Sequence, residues 1–245
     1  MKFLEGSMKQ ELLKFLVFAA AVFTAPAFFQ GGYIVNVLVF VGIYTILAVA
    51  LNLLLGLAGQ ISLGQAAFFG LGAYISGVLT ATHDVNPWLA MVIAVIAVGI
   101  IAFVLGYPIL KLKGHYLAMA TLGMGIIVYI VFNETIDITG GPSGLSGIPN
   151  LYICGVIFNS DMKNYYLVWS FVIVTILLSV NLSQSRIGRA LRAIHDSEVA
   201  ARILGVNVRL LKVQVFTISG IFSALAGCLY AHTVQFISPA SFGFN

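Results

Sequence analysis

The sequence predicts an all-α integral membrane protein, a polytopic helical bundle with about seven transmembrane helices. Of the 245 residues, 60% are hydrophobic and only 8% are charged, whereas soluble domains carry about 25% charged residues. Long uncharged runs separate the charged clusters, and each can hold one or more spans of about 20 residues. We expect helices because lipid offers no partner to an unpaired backbone amide, and the alternating pattern of membrane strands is absent.

The apolar runs predict seven spans in a single transmembrane domain, residues 1–245. The spans are 13–29, 33–55, 61–82, 87–110, 114–132, 164–183 and 213–236. The first run ends in Ala25-Pro26-Ala27, which also resembles a signal-peptide cleavage site. We adopt a transmembrane helix there, and cleavage of the N-terminal segment stays an open alternative.

The basic residues predict the orientation. With a cytoplasmic N-terminus, all twelve basic residues except Lys163 lie on the cytoplasmic side, as the positive-inside rule requires. This placement explains the basic pI by membrane topology, so we expect membrane lipid and no nucleic acid as a partner.

Two long connections join the predicted spans. The extracytoplasmic loop 133–163 is rich in proline and glycine, including Gly140, Gly141, Gly144 and Gly147, a composition that prevents a regular helix. The cytoplasmic segment 184–212 predicts amphipathic helices that break near Asp196-Ser197, with Ser197 capping the second. Its arginines suit either anionic lipid or a cytoplasmic partner protein, and composition leaves both open.

Small side chains recur at helical spacing in two spans. On an ideal helix those of span 61–82 cover an arc of about 80°. The first stripe consists of Ser62, Ala66, Gly70, Ala73 and Gly77, and the second of Gly114, Ala118, Thr121 and Gly125. Because helices in lipid associate through close van der Waals contact, these stripes predict tightly packed helices.

Polar residues near the first stripe have a second interpretation. Asn52, Gln60, Ser62 and Gln65 would cost free energy in lipid, so they should face protein or a water-filled cavity. Gly56 and Gly59 lie at an uncharged turn, and irregular backbone at membrane depth is tolerated beside a cavity. The candidates for a translocation pathway are therefore the polar residues Asn52, Gln60, Ser62, Gln65 and Thr121. Interhelical hydrogen bonds without a transport role are the alternative.

Catalytic and metal-binding motifs are absent from the sequence. There is no phosphate-binding loop, no H-E-x-x-H, no G-x-S-x-G and no Cys/His cluster, so we expect no catalytic residue, metal or cofactor. Apart from Lys14, at the start of the first, no charged residue lies within a predicted span, although a proton-coupled carrier usually needs one in the membrane. The energy source is therefore expected on another chain, and an intramembrane enzyme is disfavoured.

Four blocks in this order resemble the permease subunits of branched-chain amino-acid ABC importers, of the LivM type in the LivH/LivM permease family. The blocks are LNLLLGLAGQISLGQAAFFGLGAYISG at 51–77, GHYLAMATLGMG at 114–125, TGGPSGLSGIP at 139–149 and SRIGRALRAIHDSEVAARILGVNV at 185–208. The resemblance implies the fold of ABC importer permeases in the cell (inner) membrane. Implied partners are a second, LivH-type permease, two cytoplasmic ATPases and a periplasmic or lipid-anchored substrate-binding protein.

The resemblance also gives a role to the cytoplasmic segment. Permeases of ABC importers carry an E-A-A-x-x-x-G pattern in the loop that docks on the ATPase. Ala200, Ala201 and Gly205 match it as coupling residues, whereas Glu198 stands one residue earlier than the pattern asks. Many relatives carry an acidic residue soon after the position of Gly123, and none is present here. The family also continues into further transmembrane helices beyond the position of Asn245, so the resemblance implies either a fragment or an unusually short member.

The function expected from this resemblance is ATP-driven import of branched-chain or related amino acids by alternating access. An importer of urea or short amides is a near alternative. A passive channel without an ATPase is a different class, and co-purification of an ATPase would distinguish it.

Overall fold

The computed structural model describes residues 18, 20, 22–24, 26, 32–153 and 156–243, and these are mainly helical. The helices, numbered here in chain order, are α1 Gly32–Asn52, α2 Gln65–Ala81, α3 Pro87–Ile109, α4 His115–Glu134, α5 Ile136–Thr139, α6 Asp161–Gln184, α7 Arg186–Asp196, α8 Glu198–Ile203 and α9 Val208–Val234. A π-helical turn, Leu53–Leu57, continues α1. Five of these helices (α1 with its π turn, α3, α4, α6 and α9) are long and apolar enough to cross a membrane, and α2 is a shorter apolar helix.

The prediction of a helical membrane bundle is confirmed, and six of the seven predicted spans correspond to these six helices. The first predicted span, 13–29, falls mostly outside the described residues. The two largest differences from the predicted bounds are at helix starts. Span 61–82 is helical only from Gln65, and span 213–236 is already helical from Val208.

Helix α9 is the most buried of the five long spans and packs against α1, α2 and α3. It approaches α2 most closely at two glycines. A Cβ atom at Gly227 would collide with the carbonyl oxygen of Phe69, and one at Gly72 with that of Ala224. The thiol of Cys228 donates to the Gly72 carbonyl at 3.3 Å. Backbone therefore meets backbone at this crossing, which requires glycine.

The loop between α4 and α6 is irregular, as its glycine and proline content predicts. It contains α5, a 3₁₀ turn at Gly141–Ser143 and three two-residue strands, β1 Leu145–Ser146, β2 Tyr152–Ile153 and β3 Val156–Ile157. Strand β1 pairs antiparallel with β4, Phe236–Ile237, and β2 pairs with β3. The φ angles of Gly140, Gly141, Gly144 and Gly147 lie between 56° and 81°, a region that L side chains avoid.

The segment between α6 and α9 forms the two predicted helices, α7 and α8. Ser185 accepts a hydrogen bond from the amide of Gly188 and caps α7, while Ser197 accepts one from Ala200 at 3.3 Å and caps α8. The break between them is at Ser197, and Leu191 and Ile194 of α7 are buried against the bundle.

Candidate functional site

The backbone leaves the helical conformation between α1 and α2, at residues 59–64, which we call the helix break. Gly59 has a φ of 62°, and the amide of Gln60 donates back to the carbonyl of Leu54 at 2.9 Å. Irregular backbone was expected at Gly59, but the prediction that Ser62 belongs to a helical stripe is wrong. Its hydroxyl accepts a hydrogen bond from the Gly64 amide at 3.3 Å instead, a local bond that competes with helix formation.

Two helices hold the helix break in place. From α4, the hydroxyl of Thr121 accepts a hydrogen bond from the amide of Leu63 at 3.0 Å. Gly64 packs so closely on α4 that a Cβ there would lie 2.8 Å from the Met124 methyl group. From α7, the His195 ring lies against Gly59, where a Cβ would come within 3.2 Å of Cγ. The break therefore connects a membrane-spanning helix with the segment that leads to α8.

Gln60 is the most unusual polar residue of the break. Its side chain is 2% exposed, and neither amide atom has a hydrogen-bond partner within the described residues. An unsatisfied buried polar group costs about 1–3 kcal/mol. Gln60 is therefore a buried pathway candidate whose polar atoms lack partners within the described residues. Buried Ser62 belongs to the same break, and buried Thr121 supports it from α4.

Gln65 and Asn52 have different surroundings. The Gln65 amide donates to the Ser219 hydroxyl at 2.9 Å and its oxygen accepts from the Ser223 hydroxyl. Ser219 in turn donates to the Ala50 carbonyl at 2.6 Å, so this network joins α1, α2 and α9. Gln65 also lines an open cleft of about 270 Å³ beside α1. Asn52 is exposed, so of its two expected environments, protein or a water-filled cavity, it does not lie within the protein of this chain.

At Gly70 and Gly77 the predicted packing stripe of α2 faces side chains rather than another helix backbone. A Cβ at Gly70 would lie 2.9 Å from the Phe132 ring of α4, and one at Gly77 would lie 3.1 Å from Ile148. Ala73 is fully buried, whereas Ala66 is half-buried and lines the same cleft as Gln65.

The second stripe is only partly present. Gly125 is buried in α4, but the assignment of Gly114 to helix packing is wrong. Gly114 precedes α4 with a φ of 55°, is exposed, and has no heavy atom within 4 Å of a Cβ built on it. It turns the chain into the helix. The closest crossing, at Gly72 and Gly227, was missed. The signal that could have predicted it is a row of small residues at helical spacing in α9, namely Gly220, Ala224, Gly227 and Ala231.

Helix α8 is fastened to the bundle by an ion-pair cluster. The Glu198 carboxylate contacts the ammonium group of Lys212, which is buried. It also lies 3.2 Å from the ammonium group of Lys113. Burial by itself would raise the pKa of Glu198, but its hydrogen bonds to the two lysines outweigh this and hold the pKa below its usual value. The lysine partners were not predicted, since they lie far from Glu198 in sequence or outside its helix.

The other coupling candidates form the end of α8. Ala201 is buried and Ala200 is exposed. Gly205 has a φ of 80° and donates to the Arg202 carbonyl, and the Val206 amide donates to that of Ala201. These two bonds form a Schellman motif, in which glycine is the preferred residue.

Three large apolar side chains of this region face outward. Val199, Ile203 and Leu204 are 69%, 81% and 78% exposed. They belong to or directly follow the helix that the Glu198 cluster holds. Such an apolar patch on a charged segment is typical of an interaction surface.

A further polar contact, absent from the sequence predictions, joins the opposite end of the bundle to the irregular loop. The His232 ring lies 2.8 Å from the Ser76 hydroxyl and 2.8 Å from the Pro149 carbonyl oxygen. Because a carbonyl only accepts, Nδ1 donates to Pro149 and Ser76 donates to Nε2. Among the described residues, no group of three His, Cys, Asp or Glu side chains could hold a metal ion.

Comparison with known proteins identifies the family. The model of the family described as "Branched-chain amino acid transport system / permease component" matches residues 33–245. The chain is 34% identical to the high-affinity branched-chain amino acid transport system permease protein LivM of Escherichia coli K12 and 33% identical to that of Salmonella typhimurium LT2. Each alignment covers 98% of the chain but 62% of the relative's length.

A probable branched-chain amino acid transport permease protein LivM of Methanocaldococcus jannaschii is 25% identical, over 83% of the chain and 69% of that relative. No solved structure matches the chain significantly. The family match covers nearly all of the described residues, including the helix break and the α7–α8 segment. The chain therefore belongs to the family of permease components of branched-chain amino acid transport systems.

Proposed function

We propose that this chain is a LivM-type permease subunit of an ATP-driven importer for branched-chain or related amino acids. The observation that carries this function is the family match, together with a segment that joins an exposed apolar patch to the helix break. The chain spans 62% of its LivM relatives' length, so the proposal concerns the assembly in which this chain takes part. The ATPase activity belongs to a partner subunit, and the permease itself needs no catalytic residue or cofactor.

The proposed coupling begins at α8. An ATPase docks on the apolar patch of Val199, Ile203 and Leu204, and the Glu198 cluster holds α8 firmly enough to transmit its movement. The movement passes along α7 to His195 and Gly59, which are in contact. From there the bond between Leu63 and Thr121 carries it to α4. Because α2 begins directly after the helix break, its position depends on the same contacts.

The substrate pathway is proposed to pass the helix break. The buried amide of Gln60, which has no hydrogen-bond partner within the described residues, supplies polar atoms for a ligand or water, and Ser62 belongs to the same helix break, which Thr121 supports. Gln65 belongs to the packing of α1, α2 and α9 instead, because Ser219 and Ser223 occupy its amide.

The proposed assembly contains a LivH-type second permease, two cytoplasmic ATPases and a periplasmic or lipid-anchored binding protein. The basic residues support an N-terminus in the cytoplasm, since α7, α8 and the start of α9 carry six of the twelve, and Lys111 and Lys113 lie beside them in the same cleft. The proposed location is the cell (inner) membrane. Selection by the binding protein would leave the permease free of a tight substrate site.

Mutation of the apolar patch tests this function. Ile203→Asp places a charge at the proposed docking surface and should reduce co-purification of the ATPase at least tenfold and abolish leucine uptake. Ile138→Asp is the matched control, since Ile138 is 56% exposed at the other end of the bundle, and the ATPase should remain bound. Membrane levels of both variants should equal wild type.

Three results would contradict the proposal. An ATPase that stays bound to Ile203→Asp would overturn the docking surface. Purification of the wild-type chain without any ATPase, with uptake intact, would indicate a passive channel. Uptake of urea or short amides in place of leucine would replace the substrate class.

A further inference from the structure

A basic cleft lies where the α7–α8 segment meets the ends of α3 and α9. Its volume is about 500 Å³, and five cationic side chains line it against the single carboxylate of Glu198. The cationic residues are Lys111, Lys113, Arg202, Arg209 and Lys212. Since Glu198 neutralises only part of this charge, the cleft favours a further anion.

A second cleft of about 360 Å³ continues from the first, with Asn207 and Arg209 in both linings. The Arg209 guanidinium lies 4.6 Å from the centre of the Tyr107 ring and donates to the Tyr107 hydroxyl at 3.3 Å. This contact orients the guanidinium at the boundary between the two clefts. Apolar Phe103 and Val213 line the far side, so the surface changes there from charged to apolar.

A third cleft, about 330 Å³ in volume, shares Phe103 with the second and is almost entirely apolar. It forms where the amphipathic helix α7 meets α3, α6 and α9. Its apolar lining is Phe103, Leu182, Ile187, Leu191, Val215 and Ile218. The wall therefore belongs to three membrane-spanning helices and to the apolar face of α7.

We propose that these three clefts form one binding site for an anionic phospholipid. The phosphate binds between Lys111 and Arg209, and an acyl chain runs past Phe103 into the apolar cleft. The order of the linings, from cationic through an aromatic boundary to aliphatic, matches the order of groups in an anionic lipid. A soluble phosphate would leave the apolar cleft empty, and a zwitterionic lipid would leave the surplus positive charge uncompensated. The site does not depend on the transported substrate.

The lipid would lie next to the contact that holds α8. Lys113 and Lys212 line the basic cleft and also bind Glu198. A lipid phosphate adds a second anion for these ammonium groups, so lipid binding and the position of α8 are linked.

Native mass spectrometry of the detergent-purified protein, with any subunits that co-purify, tests the site. Dioleoyl phosphatidylglycerol should bind more tightly than dioleoyl phosphatidylcholine, and glycerol 3-phosphate should not displace it. Arg209→Gln with Lys111→Gln should weaken phosphatidylglycerol binding about fivefold for each charge removed. Arg189→Gln with Arg192→Gln is the control, since it removes the same two charges from α7 outside all three clefts.

Several outcomes would overturn the proposal. Equal binding of the two lipids, or equal loss of binding in the two double variants, would show that the lipid responds only to the general surface charge. Displacement by glycerol 3-phosphate at concentrations similar to the lipid would indicate a soluble-phosphate site. The comparison of the two lipids and the displacement by glycerol 3-phosphate both use the wild-type protein. They therefore test the lipid site even if the double variant does not fold.

Discussion

Removing the charge of Glu198 should release α8 from the bundle while leaving the membrane helices folded. Glu198→Gln keeps the size of the side chain and removes the carboxylate that pairs with Lys212 and Lys113. The Lys212 ammonium then stays buried without its counterion, because its side chain is only 8% exposed.

The magnitude follows from the exposure of the three partners. The Lys113 side chain is 67% exposed, and such surface pairs contribute about 0–1 kcal/mol. Loss of one partner from a fully buried pair costs about 3–5 kcal/mol, but Glu198 is 24% exposed, so solvent reduces this value. We expect a net loss of about 2 kcal/mol in the local stability of α8, which corresponds to an about 30-fold larger population of the open form.

Hydrogen–deuterium exchange of a peptide covering residues 197–208 measures this opening. The informative amides are those of Ala201, Leu204 and Val206, which donate to carbonyls of the α8 turn. Asp196→Asn is the matched control, because Asp196 is an exposed neighbouring acid with no ion pair within the described residues. It should leave exchange within about threefold of wild type.

A double variant separates the pair from the loss of charge. In Glu198→Gln with Lys212→Met, no buried ammonium is left unpaired, so part of the protection should return. The reasoning is refuted if Glu198→Gln exchanges at the wild-type rate, or if Asp196→Asn opens the segment equally.

Three further predictions concern packing, the turn and pH. Gly227→Ala should lower stability in detergent by about 2 kcal/mol, because its Cβ would overlap the carbonyl of Phe69. In the control Gly123→Ala the new Cβ meets nothing within 4 Å, so no stability should be lost. Thermal unfolding of both variants measures the difference. Gly205→Ala should destabilise the turn after α8 by about 1–2 kcal/mol, since φ is 80° there. Equal hydrogen–deuterium exchange of this turn in the variant and the wild type would argue against it. Because the folded pKa of Glu198 is lowered, the stability that its carboxylate gives α8 should be complete above about pH 4.3, the unfolded pKa, and disappear as pH falls through the folded pKa. Protection of the α8 amides, corrected for the intrinsic exchange rate, should therefore stay the same between about pH 7 and pH 5.

Local chemistry explains which expectations agree with the structure. The absence of charge over long runs predicts membrane helices whatever their partners, because the cost of burying charge in lipid depends on each segment alone. Glycine and proline in the loop and Ser197 at the start of α8 likewise act within a few residues. The start of α2 at Gln65 was missed because Ser62 bonds locally to Gly64 and Thr121 of α4 holds the break.

The sequence by itself determined a helical membrane protein, the order of its spans and the family to which it belongs. Only the tertiary structure decided which polar residue stays unpaired. Gln60 and Gln65 are five residues apart and chemically identical, yet Gln65 meets two serines of α9 and Gln60 meets no partner within the described residues. The difference depends on which distant side chains packing brings to each amide, and periodicity along one segment contains no information about that.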